Sequence, residues 1–290
     1  MTAQSAFTLI NPVTKALAFE IFDFEDNAYF REVKPHSYYT ILLVTEGIGE
    51  LKADFSSYDI HENALMCFSV YQPFTIVSEN LKGVLIHFHP DFFCIHKHQE
   101  EVACNGVLFN NIYESPITQL NVQELETLVF LIDQLRSEIQ HAGLAQYEVM
   151  VSYLKILLIN ASRYKVARKP LFELKDKNEP FILRTLKEAI EEHYRTKHRP
   201  ADYAELLNIS TKALNKLTTI HFNRTLSDLI AERIIIEAKR ELYLTTKPVK
   251  AIAYELGFND EFYFSRFFKA NAQVSPHIYR TTVGTGKANA

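Results

Sequence analysis

Two periodicities divide the chain. From residue 7 to about 112, short apolar runs alternate with polar or Pro/Gly punctuation. Residues 38–45 (YYTILLVT) are aromatic and β-branched, and Glu46-Gly47-Ile48-Gly49 follows as a turn signal. Similar runs at 51–55, 64–68, 74–77 and 84–88 are separated by Ser56-Ser57, Glu62-Asn63, Gln72-Pro73 and Lys82-Gly83. Regularly spaced short strands predict a β-sandwich or small barrel. Near residue 120 the period becomes helical. Leu125, Leu128, Val129, Ile132, Leu135 and Ile139 share a stripe, and Gly143 closes the helix. A second helix over 145–166 carries Val149, Tyr153, Ile156, Leu157 and Tyr164 on its stripe. Such a hairpin has apolar faces to hide, against the strands or against a second chain. Residues 168–180 are charged and hold Pro170 and Pro180, a linker composition. Beyond them the pattern is all-helical, over 181–194, 201–207, 210–220, 226–244, 249–256 and 260–270. Breaks fall at Asn208-Ile209 and at Gly257-Phe258-Asn259.

Composition narrows the class. With 290 residues, 47% of them hydrophobic and 23% charged, the chain has length for two domains and core enough to exclude wholesale disorder. Three cysteines (Cys67, Cys94, Cys104) without a Cys-x-x-Cys argue against a disulfide scaffold or a zinc finger. No signal peptide is visible, and no apolar run approaches the ~20 residues of a membrane span. The expectation is a cytoplasmic protein with no membrane contact. The net charge of −4 hides an asymmetry, because residues 181–290 carry 17 Lys and Arg against 12 Asp and Glu. An acidic front half and a basic back half suggest that the back half meets a polyanion.

The back half twice repeats a short helix, a tight turn and a second helix, the plan in which the second helix enters the DNA major groove. In the first unit (201–217), Ala204 and Leu207 would pack on Leu214 and Leu217, and Ser210 is a ready N-cap. In the second (249–269), Gly257 ends a helix, and Ile252, Ala253, Leu256, Phe264 and Phe267 form the inner face. The outward residues are Thr211, Lys212, Asn215, Lys216 and Thr219 in the first, and Asp260, Glu261, Ser265, Arg266 and Lys269 in the second.

Ala204 to Leu207, Ser210, Leu214, Arg233 to Ala238, the Ile252-Ala253-Tyr254-Glu255-Leu256-Gly257-Phe258 run, Tyr263 to Lys269 and Ser275-Pro276-His277-Ile278-Tyr279-Arg280 carry a resemblance. Over 181–280 the chain resembles the DNA-binding domain of AraC/XylS-type transcriptional regulators. The resemblance implies two recognition helices set in successive major-groove segments of double-stranded DNA. It implies base-edge roles for Lys212, Asn215 and Lys216 and for Glu261, Ser265 and Arg266, with Thr211 beside the first set. The helix starts at Ser210 and Asp260, with Lys250 and Lys269, are candidates for phosphate contacts. The chain departs from that family at Asn223 and Gln273, where glycine is usual, and at Thr218, where phenylalanine is usual.

The front segment resembles the cupin-like effector domain often placed before such a unit, through Pro35-His36-Ser37-Tyr38-Tyr39 and Leu42 to Gly47. His36 is not followed by the second histidine of a metal-binding cupin. His87-Phe88-His89 places two imidazoles on one strand face, and Cys94, His96, His98 and Cys104 follow. No spacing matches a closed metal site, so no metal or cofactor is assigned. His36, Tyr38, Phe68, Tyr71, His87 and His89 are candidates for lining a pocket for a small-molecule effector. The expected fold class is α+β multidomain. A cupin-like β-barrel (1–115) leads to a helical dimerisation hairpin (116–168), a linker (169–180), an all-α tandem helix-turn-helix domain (181–283) and a tail (284–290). The function expected is a non-enzymatic, homodimeric transcription regulator and activator, with RNA polymerase as a further partner. The alternatives are a metal-dependent cupin enzyme with a DNA-binding appendage, and a module whose helices bind another protein.

Overall fold

The aromatic and β-branched runs form strands in the computed structural model, which describes residues 6–12, 14–25, 28–30, 37–53, 56–78, 80–98, 106–141, 143–168 and 181–283. His36, Cys104, the 169–180 linker and the 284–290 tail lie outside the described residues. The chain divides into two units, Met1–Asn111 with Ser115–Arg168, and Ile112–Glu114 with Lys169–Ala290. The hairpin therefore belongs with the strands.

The strands are β1 (Phe7–Ile10), β2 (Leu17–Phe24), β3 (Tyr39–Glu46), β4 (Gly49–Ala53), β5 (Ser56–Ile60), β6 (Ala64–Phe68), β7 (Phe74–Ser78), β8 (Lys82–Phe88) and β9 (Ile117–Gln119). They make two antiparallel sheets, β1-β2-β8-β3-β6-β9 and β5-β4-β7. Gly47, at φ 95°, turns the chain between them, where an added Cβ would lie 2.3 Å from the Asn80 carbonyl oxygen. One core joins the sheets: Phe22, Leu42, Met66 and Leu85 from the larger meet Leu51, Phe74 and Ile76 from the smaller. The opposite face of the larger sheet buries Ile21, Ile41, Leu43, Cys67, Ile86 and Phe88. Helices α1 (Val122–Gln140) and α2 (Gln146–Arg168) pack on each other and on β1 and β9 respectively. Because both faces of the sheet are covered, β2 lacks the alternation that marks a half-exposed strand.

Helix α1 buries Leu128, Leu131, Ile132 and Leu135, close to the expected stripe. Helix α2 differs. It buries Met150, Leu154, Leu157, Leu158 and Ala161, and the expected stripe of Val149, Tyr153 and Ile156 lines a shallow surface groove of about 330 Å³. Apolar residues stand on both sides of α2, so periodicity alone does not choose its inner face.

The second unit holds α3 (Phe181–His193), α4 (Pro200–Leu206), α5 (Thr211–Phe222), α6 (Leu226–Leu244), α7 (Val249–Glu255), α8 (Glu261–Ala272) and α9 (Pro276–Val283). Helix α6, 19 residues and so about 28 Å long, packs against every other helix of the unit. A capping box between Thr225 and Asp228 starts it. The Ile112–Glu114 tripeptide joins this unit: Arg224 donates to the Ile112 carbonyl at 3.4 Å, and the Tyr113 ring meets Phe222 at 5.8 Å. No helix among the described residues is long and apolar enough to cross a membrane.

A buried charge sits on α6. Glu237, 4% exposed, faces Arg195 at 2.8 Å, Arg240 at 3.0 Å and Arg233 at 3.5 Å. Burial alone would raise its pKa, but Arg240, Arg233 and Arg195 outweigh that and hold the carboxyl below its ordinary value of 4.5. The stabilisation is therefore complete above about pH 4.5 and is lost as pH falls through the depressed value. Replacing Glu237→Gln should cost ~2 kcal/mol at pH 7. It should also flatten the acid limb of stability, both read from urea unfolding followed by circular dichroism.

Candidate nucleic-acid interface

Two helix–turn–helix units are built alike from different residues. In the first, Asn208 takes φ 51° and the Ile209 amide donates to the Ala204 carbonyl at 3.0 Å. In the second, Gly257 takes φ 79° and the Phe258 amide donates to the Ala253 carbonyl at 2.9 Å. Each turn tucks a large apolar residue under a small alanine, which lets the two helices approach. Gly257 lies against another element: a Cβ there would sit 2.0 Å from the Arg195 carbonyl oxygen and 3.3 Å from His198 Nε2. His198 packs its ring on Phe258 at 4.8 Å, and burial holds its pKa below the ordinary value.

The inner face of the first unit is Tyr203, Ala204, Leu214 and Thr218, all buried, with Leu207 and Leu217 half-buried beside them. The Tyr203 hydroxyl donates to the Lys197 carbonyl at 2.9 Å. In the second unit Ile252, Ala253, Leu256, Phe258, Phe264 and Phe268 are buried. Phe267, expected there, is half-buried with its ring 5.2 Å from Phe258, because Phe264 and Phe268 at i and i+4 take the central places.

The family described as "Helix-turn-helix domain" matches residues 203–282. Among curated relatives, the raffinose operon transcriptional regulatory protein RafR of Pediococcus pentosaceus is 32% identical over 95 residues, covering 33% of this chain and 34% of that protein. The HTH-type transcriptional activator Btr of Bacillus subtilis (strain 168) is 27% identical over 163 residues, covering 55% of this chain and 29% of that protein. The chain thus spans about a third of the length of these relatives. A structure of ToxT from Vibrio cholerae aligns over 96% of this chain and 97% of its own, at 18% identity and a TM-score of 0.40. The matched segment, residues 203–282, holds both helix–turn–helix units.

Within this segment, the second helix of each unit has an identified cap. Ser210 accepts from the Ala213 amide at 3.2 Å and starts α5. Asp260 accepts from the Phe262 and Tyr263 amides at 3.1 and 2.9 Å and starts α8. The Asp260 carboxylate thus occupies two of the amides that a phosphate at that helix start would use. Thr211, Lys212 and Lys216 on α5 are exposed, as are Lys250 on α7 and Arg266 and Lys269 on α8; Glu261 and Ser265 are half-buried. Asn215 is half-buried, and its side-chain oxygen accepts the Leu226 amide at 3.0 Å, tying the start of α6 to α5. A two-bond reading of adenine by Asn215 would require breaking that tie.

The departures from the family are accommodated. Asn223 and Gln273 end α5 and α8 at φ 55° and 64°, the left-handed region where glycine is usual. Thr218 is fully buried and its hydroxyl donates to the Asn215 carbonyl at 2.9 Å. Not every aromatic side chain of the Phe258–Phe268 run packs inward: Phe262 is 67% and Tyr263 56% exposed.

In the first unit, cross-strand register aligns Glu20, His87, Thr40 and Phe68 in one row. His87 Nδ1 lies 3.4 Å from Glu20, and Tyr38 packs on both His87 and His89 at 5.9 and 5.6 Å. The phenols of Tyr38 and Tyr29 titrate above their ordinary values, through burial and then the Glu20 charge. Tyr71 is buried nearby, and Phe68 stacks on Phe74 at 3.9 Å inside the core. No group of three or more His, Cys, Asp or Glu side chains among the described residues is placed to hold a metal ion.

Gly257→Ala should destabilise the domain by ~2 kcal/mol or more in thermal or urea unfolding. Gly257→Asn should do no better, although asparagine tolerates the left-handed region, because the Cβ still meets the Arg195 carbonyl.

Proposed function

We propose that the chain is a sequence-specific DNA-binding transcription regulator of the AraC/XylS type, cytoplasmic and without catalysis of its own. The observation that carries this reading is the pair of capped recognition helices, α5 and α8, packed on the shared helix α6 inside a matched helix-turn-helix segment. A ~28 Å helix suits two heads working in successive major-groove segments, which lie about 34 Å apart. Lys212, Lys216 and Arg266 would read base edges, with Glu261 and Ser265 beside Arg266. Thr211, Lys250 and Lys269 would grip phosphates. RafR and Btr, by their names, regulate transcription.

The first unit would be a cupin-like sensor. The row from Glu20 through His87, with Tyr38, His89 and Tyr71 beside it, offers hydrogen-bonding groups among aromatic rings for a small effector. Homodimerisation would use the outer face of the hairpin, where Phe130 is 60% and Ile156 45% exposed. As an activator, the DNA-bound dimer would contact RNA polymerase.

Binding sites selected from a randomised duplex pool provide the test, with affinities measured by fluorescence anisotropy. Arg266→Ala should lose discrimination among selected and scrambled sites. Lys250→Ala should weaken both alike and lower the salt slope by about one. Equal binding of wild-type protein to all sequences would end this reading. Separately, Ile156→Glu should convert dimer to monomer in sedimentation velocity without altering the circular dichroism spectrum.

A further inference from the structure

Phe262 occupies the second position of α8 and is 67% exposed, the side chain of a large apolar residue left in water at the start of a recognition helix. Its backbone is fixed, because its amide donates to Asp260 at 3.1 Å. Its helical phase is informative. Phe262, Arg266 and Lys269 recur at i, i+4 and i+7 and are all exposed, so they share one face. Phe264, Phe268 and Ala272, the buried stripe, lie roughly opposite. The neighbouring Tyr263 turns its ring toward Phe258 at 5.8 Å, whereas Phe262 stands on the cationic face.

That arrangement selects an occupant. A surface that places an apolar ring in line with a guanidinium and an ammonium suits a polyanion that also presents an apolar group. The major groove offers one such group, the C5 methyl of thymine, beside guanine acceptors suited to arginine. We propose that Phe262 is a specificity-determining residue that reads a thymine methyl in the half-site of α8, one or two base pairs from the base read by Arg266. This rests on the DNA-binding reading above and adds to it a base preference set by contact rather than by hydrogen bonding.

The test uses the full chain and the best site selected from random duplexes. Each thymine is replaced singly by deoxyuridine, which removes the methyl and leaves base pairing unchanged. Dissociation constants are measured for wild type, Phe262→Ala and Phe262→Leu, with circular dichroism confirming the fold. The expected result is one thymine in the α8 half-site whose replacement weakens wild type by about fourfold, the worth of one buried methyl-sized group. Phe262→Ala should bind the thymine and uracil sites equally, and Phe262→Leu should keep most of the difference. If wild type selects a site but no replacement distinguishes it from Phe262→Ala, the proposal is overturned while the regulator reading stands, and the ring belongs to a protein contact. If wild type selects no sequence at all, both fall together.

Discussion

Arg195 holds the second unit together from two sides at once. Its guanidinium reaches the buried carboxylate of Glu237 on α6, and its own carbonyl oxygen rests where a Cβ on residue 257 would be. The segment after α3 thereby fixes both the central helix and the turn of the second helix-turn-helix. Glu237 also takes Arg233, whose Nε bonds Glu191 on α3 at 2.7 Å. A single buried acid is tolerable there only because several cations surround it. The same surroundings tie down α6, the helix on which the others of its unit pack.

The two reading units repeat geometry with different chemistry. The turn that glycine makes at 257 is made by asparagine at 208, and both positions have positive φ. Glycine is required where the backbone of another element presses close, and asparagine suffices where no such approach is found. The caps differ likewise: a neutral serine starts α5 and an aspartate starts α8.

Much of this was legible from residue spacing. The run 64–68 coincides with β6, the breaks at Asn208 and Gly257 fall at the turns, and Ser210 caps as expected. What was not legible follows from burial on two sides. β2 shows no alternation because helices cover one face of its sheet and a second sheet covers the other. The inner face of α2 was not legible because apolar residues stand on both of its sides. Asn215 illustrates a further limit: a side chain pointing outward in a helical projection instead caps the following helix, a tertiary bond that sequence spacing does not reveal. The exposure of Phe262 was hidden by its neighbours, since four of the six residues from 263 to 268 are aromatic and two of those are fully buried.

The unequal caps have a consequence for behaviour in concentrated electrolyte. On the α5 side, Lys212 and Lys216 stand with no acid among the outward residues. On the α8 side, Arg266 and Lys269 are balanced by Asp260 and Glu261. In the DNA-binding reading, the phosphate grip of Lys250 and Lys269 would fade as ionic strength rises. The greasy tip of the same carboxyl-terminal head carries no charge to be screened, so its contact would outlast theirs.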